Sequence, residues 1–206
     1  MKSLNTYIQE NTCINEKLTI VHKSYTCTPD TKDELREIIE KRLEDDQNAD
    51  LNDIDVSNIT DMSYLFDNLD PHNIDISKWD VSNVQDMRCM FWDCYWFNSD
   101  LSNWDVSKVG SMSYMFCRCK KFNSDLSRWN VSNVENMNRM FVNCWNFNSD
   151  LSKWDVSNVT MMNYMFNGCK SFNSDLNNWD VSHVNDMCWM FDGCKQMKKR
   201  PKWYVD

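Results

Sequence analysis

A 25-residue sequence repeats through most of this chain without one insertion or deletion. The copy NSDLSNWDVSKVGSMSYMFCRCKKF, which starts at Asn98, is followed directly by NSDLSRWNVSNVENMNRMFVNCWNF, which ends at Phe147. The same position of five copies is occupied by Trp79, Trp104, Trp129, Trp154 and Trp179, and an earlier copy has Ile54 there, which gives six copies. A catalytic motif needs to occur only once, whereas a repeated unit indicates a structural building block.

Two apolar patterns lie within each copy. The first resembles the L-x-x-L-x-L-x-x-L pattern of a leucine-rich-repeat strand; in the third copy it comprises Leu101, Trp104, Val106 and Val109. The second has apolar residues at i, i+3, i+4 and i+7, which is one face of a short helix; in the same copy it comprises Met112, Met115, Phe116 and Cys119. One strand and one short helix cannot bury their apolar faces without stacked neighbours.

These patterns predict an α/β fold, a right-handed leucine-rich-repeat-like solenoid of six 25-residue turns. Each turn is expected to contain a short parallel strand and a short helix. We divide the chain into an N-terminal segment with a capping helix (1–50), the repeat solenoid (51–197) and a C-terminal cap or tail (198–206).

The open ends of a stack of repeats need covers, because a terminal unit would otherwise expose its core. Residues 32–46 are predicted to form an amphipathic helix over the first copy, since Thr31 and Glu34 have capping-box spacing and the apolar residues share one face. That face comprises Leu35, Ile38, Ile39 and Leu43. Upstream, KLTIVHKSY is expected to add a strand or hairpin, and the C-terminal residues are expected to form a closing strand with Trp203 or Tyr204 packed down.

Charge and hydropathy exclude some classes of function. A net charge of −9 and a pI near 4.8 argue against a nucleic-acid-binding protein, which usually has a basic balance. No stretch approaches the roughly 18 apolar residues of a membrane span, and the N-terminus does not read as a signal peptide. The sequence as written therefore predicts a cytoplasmic protein with no membrane span.

The repeat resembles that of the BspA-like leucine-rich-repeat proteins, a repeat also described in mycoplasma and lactobacillus surface proteins. FNSDLSKWDVSNVTMMNYMFNGCKSFN carries the resemblance through its W-D-V-S-N-V and M-F-x-x-C motifs, and the likeness extends over about residues 51–197. It implies a bacterial surface protein that binds another protein in adhesion or host contact. From the sequence as written we expect no signal peptide, no cell-wall anchor and no long array, which differs from that family. The alternative is a structural component of a virion or surface assembly, in a bacterial or phage-encoded protein.

Cysteine recurs at one position of the repeat, at Cys94, Cys119, Cys144, Cys169 and Cys194. Spacing near 5 Å would permit disulfides or a soft metal. We expect buried reduced thiols instead, because Leu69 fills this position in the first copy and free cysteine is commonly buried. Cys89, Cys117 and Cys188 lie at other positions and are expected to be the more reactive thiols.

Tryptophan is expected to serve two different purposes. The regular tryptophans belong to the inward pattern and are predicted to form core instead of a stacking platform for bases or sugars. The tryptophans outside that pattern are candidate binding anchors: Trp92, Trp96, Trp145 and Trp189.

Polar residues also recur with the 25-residue period. One set of aspartates is interrupted by Asn130; we expect these groups to be solvated or hydrogen-bonded, with a bound cation such as Ca²⁺ as the weaker alternative. A second set is predicted to form a side-chain ladder that satisfies buried backbone groups of the turns: Asn98, Asn123, Asn148 and Asn173.

Catalysis has no support in the sequence. His22, His72 and His183 are scattered, and neither a phosphate-binding loop nor an H-E-x-x-H motif occurs. We therefore predict a protein that is not an enzyme, needs no cofactor or metal, and binds another protein through the outward residues that flank each tryptophan. This binding face comprises Lys78, Asp80, Asn103, Asp105, Arg128, Asn130, Lys153, Asp155, Asn178 and Asp180.

Overall fold

One α-helix precedes the repeats in the computed structural model, which describes residues 25–205. Helix α1 is Lys32–Asp45, one residue shorter than predicted. The side chain of Thr31 caps it by accepting the N–H of Glu34 at 3.2 Å, and Leu35, Ile39 and Leu43 are buried. The predicted strand or hairpin within KLTIVHKSY falls almost wholly before residue 25 and lies outside the described residues.

Helix α1 contacts the first copy through basic side chains. The guanidinium of Arg36 donates to the carbonyl oxygens of Tyr64 at 2.6 Å and Asp67 at 3.1 Å. Lys32 pairs with Asp61 at 2.8 Å. The buried face of the helix joins the same core as the repeats.

The predicted leucine-rich-repeat architecture is wrong. Residues 25–205 contain no regular strand and no helix besides α1; the backbone pairs across copies only at isolated parallel bridges. Six of the bridges join residues 25 positions apart in successive copies: Asp50 with Asp75, Asp61 with Asp86, Asp86 with Ser111, Ser111 with Asn136, Asn136 with Met161, and Met161 with Asp186. The remaining bridge joins Cys27 with Ile54.

Two tight turns replace each predicted strand. The N–H of Trp104 donates to the carbonyl of Leu101 at 3.1 Å, and the N–H of Val109 donates to that of Val106 at 3.0 Å. The aspartate before each turn accepts the backbone N–H two residues later, which is an Asx-turn. The apolar pattern that suggested a strand therefore arises from two consecutive turns, each of which directs its first and last residues into the core.

Each predicted helix is replaced by a segment whose backbone bonds to the next copy. The N–H groups of Met112, Tyr114 and Phe116 donate to carbonyls 24 residues ahead, at 2.9 Å each. Helical N–H groups would instead bond within the segment. Tyr114 also has φ 58° and Arg118 has φ 69°, which a right-handed helix excludes.

Apolar side chains at equivalent positions stack along the direction of the repeat. The rings of Phe91, Phe116 and Phe141 lie 5.5–5.6 Å apart and nearly parallel. The regular tryptophans are buried, as predicted, and their indole N–H groups donate to leucine or isoleucine carbonyls of the preceding copy, as Trp129 does to Leu101 at 2.9 Å. These contacts make one continuous core from Leu35 to Phe191.

The C-terminal residues continue the stack for part of a copy. Trp203 stacks on Trp179 at 6.3 Å, and its indole N–H donates to the carbonyl of Leu176 at 2.8 Å. Trp203 therefore packs down as predicted, but the segment forms a turn where a strand was expected.

A left-handed backbone conformation explains why two late copies contain glycine, at Gly168 and Gly193. We expect Gly168→Ala to lower the free energy of unfolding by about 1–2 kcal/mol, because Gly168 has φ +74° and an added Cβ would clash with Oδ1 of Asn143. Gly110→Ala is the control: its Cβ would meet only the carbonyl of Gln85 at 3.9 Å, so stability should be unchanged or higher by up to about 1 kcal/mol. Urea denaturation measures the free energy of unfolding of both variants. Equal losses of stability would contradict the left-handed backbone conformation assigned to Gly168.

The tryptophan core gives a second stability prediction. Trp129→Ala should cost about 3–5 kcal/mol, because it opens a void beside Phe116 and leaves the carbonyl of Leu101 without its donor. Trp96→Ala, at a residue that is 46% exposed, is the matched control and should cost far less. Similar thermal unfolding midpoints for the two variants would show that Trp129 is not a core residue.

Candidate protein-binding face

All ten residues of the predicted binding face are exposed. They flank each buried tryptophan on both sides, because the tight turn that buries the tryptophan directs its neighbours outward. Equivalent residues of successive copies therefore occupy equivalent places along the stack. The structure brings the predicted residues onto a shared surface.

The acidic half of this face maintains the local backbone. Oδ1 of Asp105 accepts the N–H of Ser107 at 3.0 Å, and Oδ1 of Asn130 accepts that of Ser132 at 3.2 Å. The position thus requires an oxygen acceptor and not a charge, which explains why asparagine replaces aspartate. Hydrogen bonds from the side chain and backbone of Ser107 hold the pKa of Asp105 below its usual range.

Two cations of the other half of the face, Arg128 and Lys153, are exposed. Arg128 and Lys153 line an open groove between two successive copies, together with Asn123, Asp125, Ser127, Asn148 and Asp150. Within the described part of the chain, neither cation makes an ion pair. The carboxylates beside them already accept serine N–H groups, as Asp125 does from Ser127 at 2.9 Å. The groove therefore presents two cations whose neighbouring carboxylates are hydrogen-bonded to backbone N–H groups.

The predicted asparagine ladder is present. Oδ1 of Asn98 accepts the backbone N–H of Asn123 at 2.7 Å, and the same bond runs from Asn148 to Asn123 and from Asn173 to Asn148 at 2.9 Å. These side chains are exposed, so they support the backbone at the surface and not in the interior as predicted.

The tryptophans outside the regular pattern differ in accessibility. Trp92, Trp96 and Trp189 are 36%, 46% and 60% exposed. Trp145 is only partly exposed, because the ammonium groups of Lys120 and Lys170 lie 4.4 Å and 3.4 Å from its ring centroid. The 25-residue spacing of Lys120, Trp145 and Lys170 was visible in the sequence, but their cation–π contacts were not predicted.

The regular cysteines are free thiols that bond to the core backbone. Sγ of Cys119 donates to the carbonyl of Phe91, and that of Cys144 to the carbonyl of Phe116, at 2.9 Å each. Burial raises the pKa of both thiols far above the usual range. The position therefore favours a small apolar side chain that can donate one weak hydrogen bond.

The three cysteines predicted to be reactive do not behave alike. Cys89 and Cys117 are buried at 6% and 5% exposure, so the prediction is wrong for them. Burial raises the pKa of Cys117 to about 12. Cys188 is exposed, and a hydrogen bond to the carboxylate of Asp186 raises its pKa.

Residues 25–205 contain no cluster of three or more histidine, cysteine or acidic side chains arranged to hold a metal ion. They also contain no helix that is long and apolar enough to cross a membrane.

Copies joined by backbone hydrogen bonds at a constant period, with an outward surface that varies from copy to copy, define a stacked-repeat protein. The chain belongs to the family described as "Mycoplasma protein of unknown function, DUF285", whose model matches residues 34–144 and 123–205. No curated protein and no solved structure matches the chain.

Thiol accessibility gives a direct check on this arrangement. In the native protein near pH 8, iodoacetamide should label Cys188, with a rate that rises with pH as the thiolate forms. Cys119, Cys144 and Cys169 should react only after unfolding, because burial opposes thiolate formation. Peptide mapping by mass spectrometry distinguishes the sites, and Cys188→Ser is the control. Disulfides between the regular cysteines would contradict the structure.

Proposed function

We propose that this protein is a non-enzymatic protein-binding module, of the kind used in adhesion or in binding a host factor. It contacts its partner through the groove that contains Arg128 and Lys153. The observation that carries the proposal is a difference between two sets of positions on the binding face. One half is nearly constant and bonds to the backbone, while the other half varies in charge and shape and points to solvent.

This division is what a repeat scaffold adapted to one partner would have. Positions that hold the backbone tolerate little variation, since each must accept a hydrogen bond. The positions of Lys78, Asn103, Arg128, Lys153 and Asn178 carry no such constraint from the turn. Exposed cations of this type steer an oppositely charged protein and fix its orientation.

We also propose that the family is related to the BspA-like surface proteins and that the protein acts at a cell surface. The W-D-V-S-N-V and M-F-x-x-C motifs support this relationship. It favours a protein partner over a small-molecule substrate. The histidine at position 183 supports a non-catalytic role as well, because its ring bonds to the carbonyl of Ser157 as the asparagines of other copies do.

The double substitution Arg128→Glu with Lys153→Glu tests the proposal. Both residues are exposed, so folding should be preserved to within about 0.5 kcal/mol. Partner affinity should fall more than about tenfold, because the charge of the groove is reversed at its centre. Immobilised wild-type protein is used to capture partners from host-cell extracts, and surface plasmon resonance then measures the affinity of each purified candidate.

The matched control is Lys41→Glu with Lys108→Glu, which makes the same change in net charge at exposed residues outside the groove. Its affinity should remain close to wild type at physiological salt. If the groove variant folds and binds as tightly as the control, the binding surface lies elsewhere on the molecule.

A further inference from the structure

The two ends of the stack leave opposite backbone groups without a neighbouring copy. In the segment equivalent to Met112–Phe116, N–H groups on alternate residues donate to carbonyls of the following copy, whereas Gly110 and its equivalents donate to the preceding copy. In that segment the first copy therefore has carbonyls with no preceding donor, and the last copy has N–H groups with no following acceptor. Unpaired edge groups of this kind are templates for pairing with another chain.

The first end is closed by α1. Arg36 donates to the carbonyl of Leu65 at 3.2 Å and to that of Asp67 at 3.1 Å. These are the carbonyls that a preceding copy would have used. A cation thus occupies the acceptor edge, and the helix above it prevents another copy from stacking there.

Among residues 25–205, part of the last end lacks hydrogen-bond partners. The N–H groups of Met162 and Tyr164 donate to Asp186 and Cys188. Their equivalents one copy later belong to Met187 and Trp189, and these have no acceptor within residues 25–205. We call the backbone of residues 185–189 the open edge.

A cleft of about 620 Å³ lies against the open edge. It is lined by Met187, Cys188, Trp189, Tyr204 and Val205, with Asn185, Asp186, Asp192 and Arg200 at its polar border. Trp189 is 60% exposed, the largest exposure of any described tryptophan. Residues 201–204 cover the tryptophan side of the last copy, so they form one wall of this cleft instead of filling it.

The charged groups at the border of the cleft are the carboxylates of Asp186 and Asp192 and the guanidinium of Arg200. The two aspartates at the border already accept hydrogen bonds: Asp186 from the N–H of Cys188 at 3.0 Å, and Asp192 from the side chain of Asn167 at 3.4 Å.

We propose that the open edge is a second docking site, which binds an extended segment of a partner protein carrying a large apolar side chain. Carbonyls on alternate residues of that segment accept the N–H groups of Met187 and Trp189, as in β-strand addition. Its apolar side chain enters the cleft between Trp189 and Tyr204. A second copy of this chain cannot dock in register, because α1 covers its acceptor edge.

A peptide from an inner copy is the probe, because its carbonyls already pair with such an edge. Residues 86–95 place the carbonyls of Asp86 and Arg88 opposite Met62 and Tyr64 in the structure. The fluorescein-labelled peptide, with Cys89→Ser and Cys94→Ser, should bind the intact protein saturably in fluorescence anisotropy. Trp189→Lys should weaken binding at least tenfold, because it removes the apolar wall. Trp96→Lys, at a similarly exposed tryptophan away from the edge, should have no effect.

A second probe tests the backbone bonds on the unaltered protein. Replacing the amide after Arg88 of the peptide by an ester makes that carbonyl a weaker acceptor, so affinity should fall by about threefold or more. This arm remains informative if Trp189→Lys does not fold.

Absence of saturable binding would overturn the proposal, as would equal losses in the two tryptophan variants or equal affinity for the ester peptide. Sedimentation of the protein without peptide tests whether a second copy of this chain occupies the open edge instead. Dimers that form with concentration and are lost in Trp189→Lys would show that a second copy occupies the edge, contrary to the proposal.

Discussion

The backbone hydrogen bonds between residues 24 positions apart determine the rest of this structure. Because the N–H groups of Met112, Tyr114 and Phe116 donate to the next copy, they are not available for a helix within their own copy. The same bonds fix the register of successive copies, so a residue type that recurs every 25 positions is placed on its own equivalents. Insertion of one residue into the bonded segment of a copy would shift that copy relative to its neighbours, which is consistent with the constant period.

The common register of the copies places equivalent side chains next to one another, both in the core and on the surface. Phenylalanine rings stack at 5.5–5.6 Å, tryptophan N–H groups reach the carbonyls of the preceding copy, and cysteine thiols satisfy the phenylalanine carbonyls. On the outside, aspartate and asparagine close the turns, which leaves the positions beside them free to vary. The binding role proposed for Arg128 and Lys153 depends on this separation between residues that hold the backbone and residues that do not.

The ends of the stack differ for the same reason. In the segment equivalent to Met112–Phe116 the inter-copy bonds all run the same way, so there one terminal copy presents carbonyls and the other presents N–H groups. Arg36 on α1 satisfies the carbonyl end, and Trp203 covers only part of the N–H end. The polarity of the peptide group thus gives this protein one closed end and one end at which two N–H groups face an open cleft.

The sequence determined the period, the helix over Lys32–Asp45, the buried tryptophans, the asparagine ladder and the exposure of the proposed binding face, because these follow from residue type and spacing. It could not determine the backbone within a copy.

Apolar residues at i, i+3, i+4 and i+7 fit a helical face, but left-handed residues such as Tyr114 and Arg118 bring the same side chains inward in a non-helical segment. Likewise, Leu101 to Val109 fits a strand until the turn bonds are seen. Nor did spacing reveal that Cys89 and Cys117 are buried or that lysines cover Trp145. Those outcomes depend on which neighbour accepts each N–H group and which side chains lie across the copy boundary, and only the tertiary structure decides this.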